Sequence, residues 1–139
     1  MSEPEPIGFA VPSIDDTDIE AVTRVLRSRW LSSGEECRRF EEELAAATGA
    51  PHVVAMSSCT TALETAVRSL RLPPGSRVGV PTWTFVASAT SVLRTGSVPV
   101  LLDVEADTLN LSAAALAAEL ERGLDAVMVV HFAGVPVAA

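Results

Sequence analysis

Lysine is missing from this chain: all ten basic residues of the 139 are arginine. Chemistry that runs through a lysine amine is closed to these residues taken alone. Tyrosine is also absent, and the aromatic set is two Trp and four Phe. Positive charge is in short supply. The net charge of −8 argues against a nucleic-acid or anionic-membrane partner, since both select basic surfaces. No apolar run is long enough to span a bilayer. The opening "MSEPEPIGFA" is acidic and broken by proline, without the basic start and apolar stretch of a secretory leader. The two cysteines, Cys37 and Cys59, form neither a metal-binding spacing nor a disulfide framework. The sequence therefore reads as cytoplasmic, with reduced thiols.

What remains is rich in Ala and Val, just under half apolar, and of a length that suggests one domain and one core. Residues 1–13 read as an extended N-terminal arm, and residues 14–139 as the folded domain. "DDTDIEAVTRVLRSRW" predicts a helix. Thr17 and Glu20 have capping-box spacing, and Asp15, Asp16 and Asp18 suit the positive helix start. A second helix is expected around Cys37, Phe40, Leu44 and Ala47, stopped by Gly49. The pattern then changes. "HVVAM", "RVGV", "VPVLLDV" and "AVMVVHF" predict four buried strands, although Pro99 weakens the start of the third. Helices are expected over 60–71, over 84–95, and from a Ser112 cap to Arg122. The alternation implies an α/β fold with mostly parallel strands.

Two stretches carry chemistry. In "HVVAMSSCTTALETAV" an apolar run turns straight into a helical pattern through small polar residues. Such a turn leaves unpaired backbone N–H groups at the positive end of a helix, which suits phosphate. Ser57, Ser58, Thr60 and Thr61 add four hydroxyls. The same residues are also ordinary helix caps, and no glycine-rich dinucleotide or Walker signature is present to favour the ligand. In "VPTWTFVASATSVL", Trp83 and Phe85 follow a predicted strand. Ligands of open α/β sheets bind outside the carboxyl ends of strands, where an aromatic ring can stack on a flat ligand. Large aromatics are more often core residues, and that alternative stands beside it.

Six blocks in order carry a resemblance that spans about Ile7 to Pro136. "SRWLSSGEECRRFEEELAAATGAPHVVAMSSCTTALETAV" resembles a Trp, a Gly, a Phe-Glu pair, a Gly, and then a Ser-x-Gly-Thr-x-Ala-Leu turn. "PPGSRVGVPTWTFVASATSVLRTGSVPVLLDVEADTLNLS" resembles Pro-Gly-Asp-Glu-Val, Pro-x-x-Thr-Phe-x-Ala-Thr, Gly-x-x-Pro-Val and Asp-x-x-x-x-Thr-x-Asn blocks. "VMVVHFAGVPV" resembles Val-His-x-x-Gly-x-Pro. These are patterns of the DegT/DnrJ/EryC1/StrS family, the sugar aminotransferases that use pyridoxal phosphate.

The resemblance implies the N-terminal part of the large domain of a fold-type I transferase, a mostly parallel sheet flanked by helices and incomplete in these residues. It implies that the anion at the turn is the phosphate of pyridoxal 5'-phosphate. Thr60 and Thr61 match the turn that holds it, and Phe85 matches the aromatic that stacks on the pyridine ring. Trp30 to Gly34 match a segment near the substrate. Asp103 and His131 match recurrent positions at strand ends and read as structural hydrogen-bonding residues. Cys59 stands where the family has Gly. Its Cβ makes a positive φ, or a very close phosphate approach, costlier.

The family's aspartate that pairs with the pyridine nitrogen, and the lysine that carries the cofactor, match nothing here. Binding of the cofactor is then expected to be weak and non-covalent, and the chain inactive alone. Three readings follow. The first is a portion of an aminotransferase that moves an amino group, with glutamate the expected donor, to a keto-sugar nucleotide. The second is a non-catalytic piece that pairs with or regulates a full-length relative. The third is a plain phosphate-ligand domain. The expected partners are a homo- or hetero-oligomer or a C-terminal complementing piece.

Overall fold

A computed structural model describes residues 10–137. The arm expected over 1–13 lies largely outside the described residues, and residues 11–15 have no regular structure. The chain divides into two compact units, Met1–Ala55 and Met56–Ala139.

The first unit holds two helices, α1 (Asp16–Ser28) and α2 (Glu35–Thr48). The α1 cap lies two residues earlier than the Thr17–Glu20 spacing suggests. Asp15 accepts from the N–H groups of Thr17 and Asp18, and Asp18 reaches back to the Asp15 N–H. A carboxylate attracts the positive helix end more strongly than a hydroxyl, so the Asp pair wins the box. Several bonds then hold the turn Arg29–Gly34. The Trp30 indole N–H donates to the Ser33 carbonyl at 3.0 Å. A Cβ on Gly34 would lie 2.6 Å from Trp30 Nε1, so the indole occupies the space that any larger residue needs. Gly49, at φ +70, closes α2 as expected. The apolar stripe of α1 stays exposed at Ile19, Val22 and Leu26, as does Phe40 on α2.

The second unit is a three-stranded parallel sheet with helices. Its elements are α3 (Cys59–Ser69), β1 (Arg77–Pro81), α4 (Ala87–Arg94), β2 (Val98–Leu102), α5 (Ala113–Glu121) and β3 (Ala126–Val127), in strand order β2-β1-β3. One face of β1 builds the core. Val78 and Val80 pack with Val67 of α3 and Val92 of α4, bordered by Leu72, Ala89, Ala126 and Met128. The other face is closed at Gly79, where a Cβ would meet Leu102, Leu124 and Val127 at 2.8–3.4 Å. Ser112 caps α5 as expected, accepting from the Ala115 N–H. Pro99 sits inside β2, opposite Val78. The Val98 N–H donates toward β1, so the nitrogen of the next residue points to the open edge, where proline removes no ladder bond.

Two strand expectations need correction. "HVVAM", residues 52–56, has no strand assignment, and Val54 and Met56 are exposed. "AVMVVHF" pairs only at Ala126 and Val127, then runs on without a ladder to a single 3₁₀ turn at Phe132–Gly134. An apolar β-branched run records what the side chains want, whereas a strand needs a partner backbone. Among the described residues neither stretch has one along its length.

Candidate functional site

The strand order places a switch point between β1 and β3. The chain leaves β1 through α4 to pair β2 on one side, and returns through α5 to pair β3 on the other. The crevice outside the carboxyl ends of two such strands is where open α/β sheets bind ligands. A cavity of about 510 Å³ opens there, lined by the start of α3, the loop after β1 and the segment after β3. That volume is within the range of small-molecule sites.

The α3 start is built by a reciprocal cap. Ser58 Oγ accepts from the Thr61 N–H at 3.2 Å, and Thr61 Oγ1 accepts from the Ser58 N–H at 3.2 Å. The Thr61 hydroxyl also donates to the Ser58 carbonyl at 2.8 Å. Thr61 is thus committed to the cap and does not line the cavity. Thr60 does line it, with Cys59 beside it. The N–H groups of Cys59 and Thr60 precede the first intrahelical bonds and have no partner among the described residues. The cap reading of the turn is met, and it leaves room for a ligand beside it. Ser58 and Thr61 cap, and the capped end presents two N–H groups and the Thr60 hydroxyl at a cavity.

Cys59 is the first residue of α3 and is not at positive φ. The backbone cost expected of a Cβ there does not arise, which leaves only the closeness of approach. Cys37 and Cys59 are both free thiols.

The loop after β1 supplies the flat surface. Phe85 lines the cavity with three-quarters of its surface exposed, and Trp83 is half exposed. Neither is a core residue. The loop is pinned below Phe85, where Thr84 Oγ1 and Ser88 Oγ lie 2.7 Å apart and the Ser88 N–H donates to the Phe85 carbonyl at 3.0 Å. An exposed ring on a pinned loop has the geometry to stack on a flat partner.

The third wall is the run from Met128 to Ala133. His131 belongs to it, and its Nδ1 accepts from the Val137 N–H at 3.0 Å, so the neutral imidazole carries its proton on Nε2. Asp103 lies elsewhere. Its carboxylate accepts from the Val104 N–H at 2.8 Å and its carbonyl from the Ser112 N–H at 3.0 Å, a structural role as the sequence suggested. Trp30 to Gly34 belong to the first unit, where they line a hollow of about 770 Å³ with Arg24 and Cys37.

Behind the cavity, α3 and α4 are tied by charge. Glu64 accepts from Arg68 at 2.8 Å and from Arg94 at 3.5 Å, and Arg68 also donates to the Arg94 carbonyl at 2.9 Å. The Arg68 hydrogen bond, helped by Arg94, holds the Glu64 carboxyl below the ordinary carboxylate range. One buried residue escaped sequence reasoning except as a letter in a block. Asn110, 4% exposed, bonds three backbone groups of the segment 132–136. It is the only side-chain amide in the chain, and that rarity was the signal available.

Fold, switch-point cavity, helix-start N–H groups and displayed aromatic define an α/β protein with a candidate small-molecule site. Residues 12–138 match the DegT/DnrJ/EryC1/StrS aminotransferase family, and the chain belongs to it. It is 39% identical over 126 residues to the spore coat polysaccharide biosynthesis protein SpsC of Bacillus subtilis (strain 168), covering 91% of this chain and 32% of SpsC. It superimposes on the PLP form of Spr1654 from Streptococcus pneumoniae with a TM-score of 0.89 at 32% identity, covering 94% of this chain and 33% of that one. The Helicobacter pylori protein PseC, an aminotransferase involved in the biosynthesis of pseudoaminic acid, gives a TM-score of 0.87 at 29% identity over 94% of this chain and 35% of its own. The chain therefore spans about a third of the length of these relatives. Among the described residues no helix is long and apolar enough to cross a membrane.

Proposed function

We propose that these residues form the phosphate-binding and ring-stacking walls of a pyridoxal-phosphate-dependent aminotransferase that moves an amino group from an amino acid, glutamate being the expected donor, to a keto-sugar nucleotide. The observation that carries this reading is the meeting of Thr60, the open N–H groups of α3 and the exposed Phe85 ring on one cavity. The residues present fit the non-covalent half of the cofactor's needs. The Cys59 and Thr60 N–H groups and the Thr60 hydroxyl would hold the phosphate. Phe85 would stack on the ring. The Ser58–Thr61 cap keeps the phosphate end rigid, and the Thr84–Ser88 pair does the same for the ring. When bound, the cofactor supplies an electron sink for the amino-transfer chemistry.

The walls bind and orient, but they do not move the proton that transfer requires. That task falls to the family's lysine, and these residues contain none. The 139 residues alone are therefore expected to hold the cofactor weakly, without a covalent bond, and to show no turnover. Apolar surface supports association with a complementing segment or a further subunit. In the second unit it includes Val98 and Leu101 on the edge strand, and in the first Ile19, Val22 and Phe40.

The experiment is a titration with pyridoxal 5'-phosphate, with inorganic phosphate as competitor. Thr60→Val should weaken binding several-fold and leave unfolding unchanged. Thr61→Val should instead lower stability by about 1 kcal/mol through the lost cap. Borohydride should fix no cofactor to the chain. Tight binding indifferent to both Thr60→Val and phosphate would count against the site.

A further inference from the structure

We infer that Asn110 is a positioning residue for the cavity. It acts through the turn at 131–136, and through the ring contact of Phe132 with Trp83, on the loop that displays Phe85. Asn110 lies in the connection from β2 to α5, away from the cavity lining. Its side chain spans 22 to 26 residues of sequence. Oδ1 accepts from the Phe132 N–H at 2.9 Å, and Nδ2 donates to the carbonyls of Val135 at 3.0 Å and Pro136 at 3.3 Å. An amide is the one side-chain group of this size that offers acceptor and donors together. Aspartate keeps the acceptor and loses both donors, and leucine keeps the shape and loses all three bonds.

The held segment would not keep its shape unaided. Ala133 has φ 50 and Gly134 φ 80, two successive left-handed residues. A residue with a Cβ rarely adopts that conformation and persists in it only where the surroundings over-determine it. Asn110 grips both ends of this turn from the inside, and the Val137 N–H to His131 bond closes it from the other side. The turn carries Phe132, whose ring meets Trp83 edge to face at 6.1 Å and 72°. Trp83 is two residues before Phe85 in the short loop between β1 and α4. One buried amide thus sets both the His131–Ala133 wall and the pose of the loop that faces it. A buried polar group with three satisfied bonds fixes position more firmly than apolar contact, because a shifted partner leaves the amide unpaired. The consequence for pyridoxal phosphate rests on the proposed function above. The consequence for Trp83 does not.

The test uses the whole chain with Trp30→Phe, so that Trp83 is the sole indole. Near-ultraviolet circular dichroism and acrylamide quenching report Trp83, far-ultraviolet dichroism reports folding, and a titration gives the affinity for pyridoxal phosphate. Asn110→Ala should stay folded, lose most of the Trp83 dichroism, become more quenchable and bind the cofactor roughly tenfold more weakly. Phe132→Leu leaves the amide bonds in place and should give the same Trp83 change, so it decides the matter if Asn110→Ala does not fold. Val92→Ala, in the core away from the turn, should lower stability without either change. A folded Asn110→Ala with an unaltered Trp83 signal overturns the inference. So does a Phe132→Leu chain with Trp83 and affinity both unmoved, or a Val92→Ala chain that reproduces the Asn110→Ala profile. If no variant binds the cofactor, wild type included, while Trp83 responds as described, the positioning role stands and the cofactor reading falls.

Discussion

Phe85→Ala separates a ligand-facing ring from a structural one, because exposure sets the two costs apart. A fully buried Phe removes roughly 150–250 Å² from water. With 75% of the residue exposed, only about a quarter of that is buried in the folded chain, on the order of 50 Å². At about 25 cal/mol per Å² the ring contributes about 1 kcal/mol to stability, an upper figure given a compact unfolded state. Truncation should therefore lower the melting temperature by about 4 °C at most. A stacked cofactor ring would cover a similar further area, about 1 kcal/mol, and the stacking geometry would add about 1 kcal/mol more. The sum of about 2 kcal/mol is roughly thirtyfold in Kd. Thermal unfolding and a cofactor titration on the same sample measure both numbers. A large fall in stability with little change in affinity would refute the reasoning, since it would make Phe85 a packing residue.

Gly34→Ala should destabilise the first unit by about 1 kcal/mol by displacing the Trp30 indole from its bond to the Ser33 carbonyl, and should shift the emission of Trp30 in a Trp83→Phe background. The backbone itself does not object, since φ at Gly34 is −167°. Stability of the second unit should fall on the acid side. Glu64 is held below the ordinary range by Arg68 and then Arg94, so its contribution is fully present above the unfolded carboxylate value, roughly 4, and is lost as pH drops through the lower folded one. Urea midpoints measured from neutral pH down to 3 should show a shallower acid slope in Glu64→Gln.

The helical part of the fold was legible because its signals are local. Gly49, Ser112 and Gly123 mark ends that the chain respects, and α3 and α4 fall where periodicity puts them. The strands were legible only where a neighbour exists to pair them. β1 and β2 supply each other along five residues, whereas residues 52–56 and 129–131 hold the right side chains and have no ladder partner among the described residues. At the site, residue type gave the helix-start turn and the aromatic loop. It did not reveal that Thr61 is consumed by the cap, which depends on rotamers, nor that Asn110 reaches across 26 residues, which depends on the closure of the whole unit.

The proline in β2 has a consequence for how the sheet joins other backbone. A strand arriving beside β2 would find, at Pro99, a position with no hydrogen to give, so its ladder would be interrupted near the start. The opposite margin offers no such obstacle, since the residues that follow Val127, Met128 and Val129, include no proline. A further strand, were a longer polypeptide or a second subunit to supply one, would forgo a ladder bond beside Pro99 of β2 that it would keep beside β3.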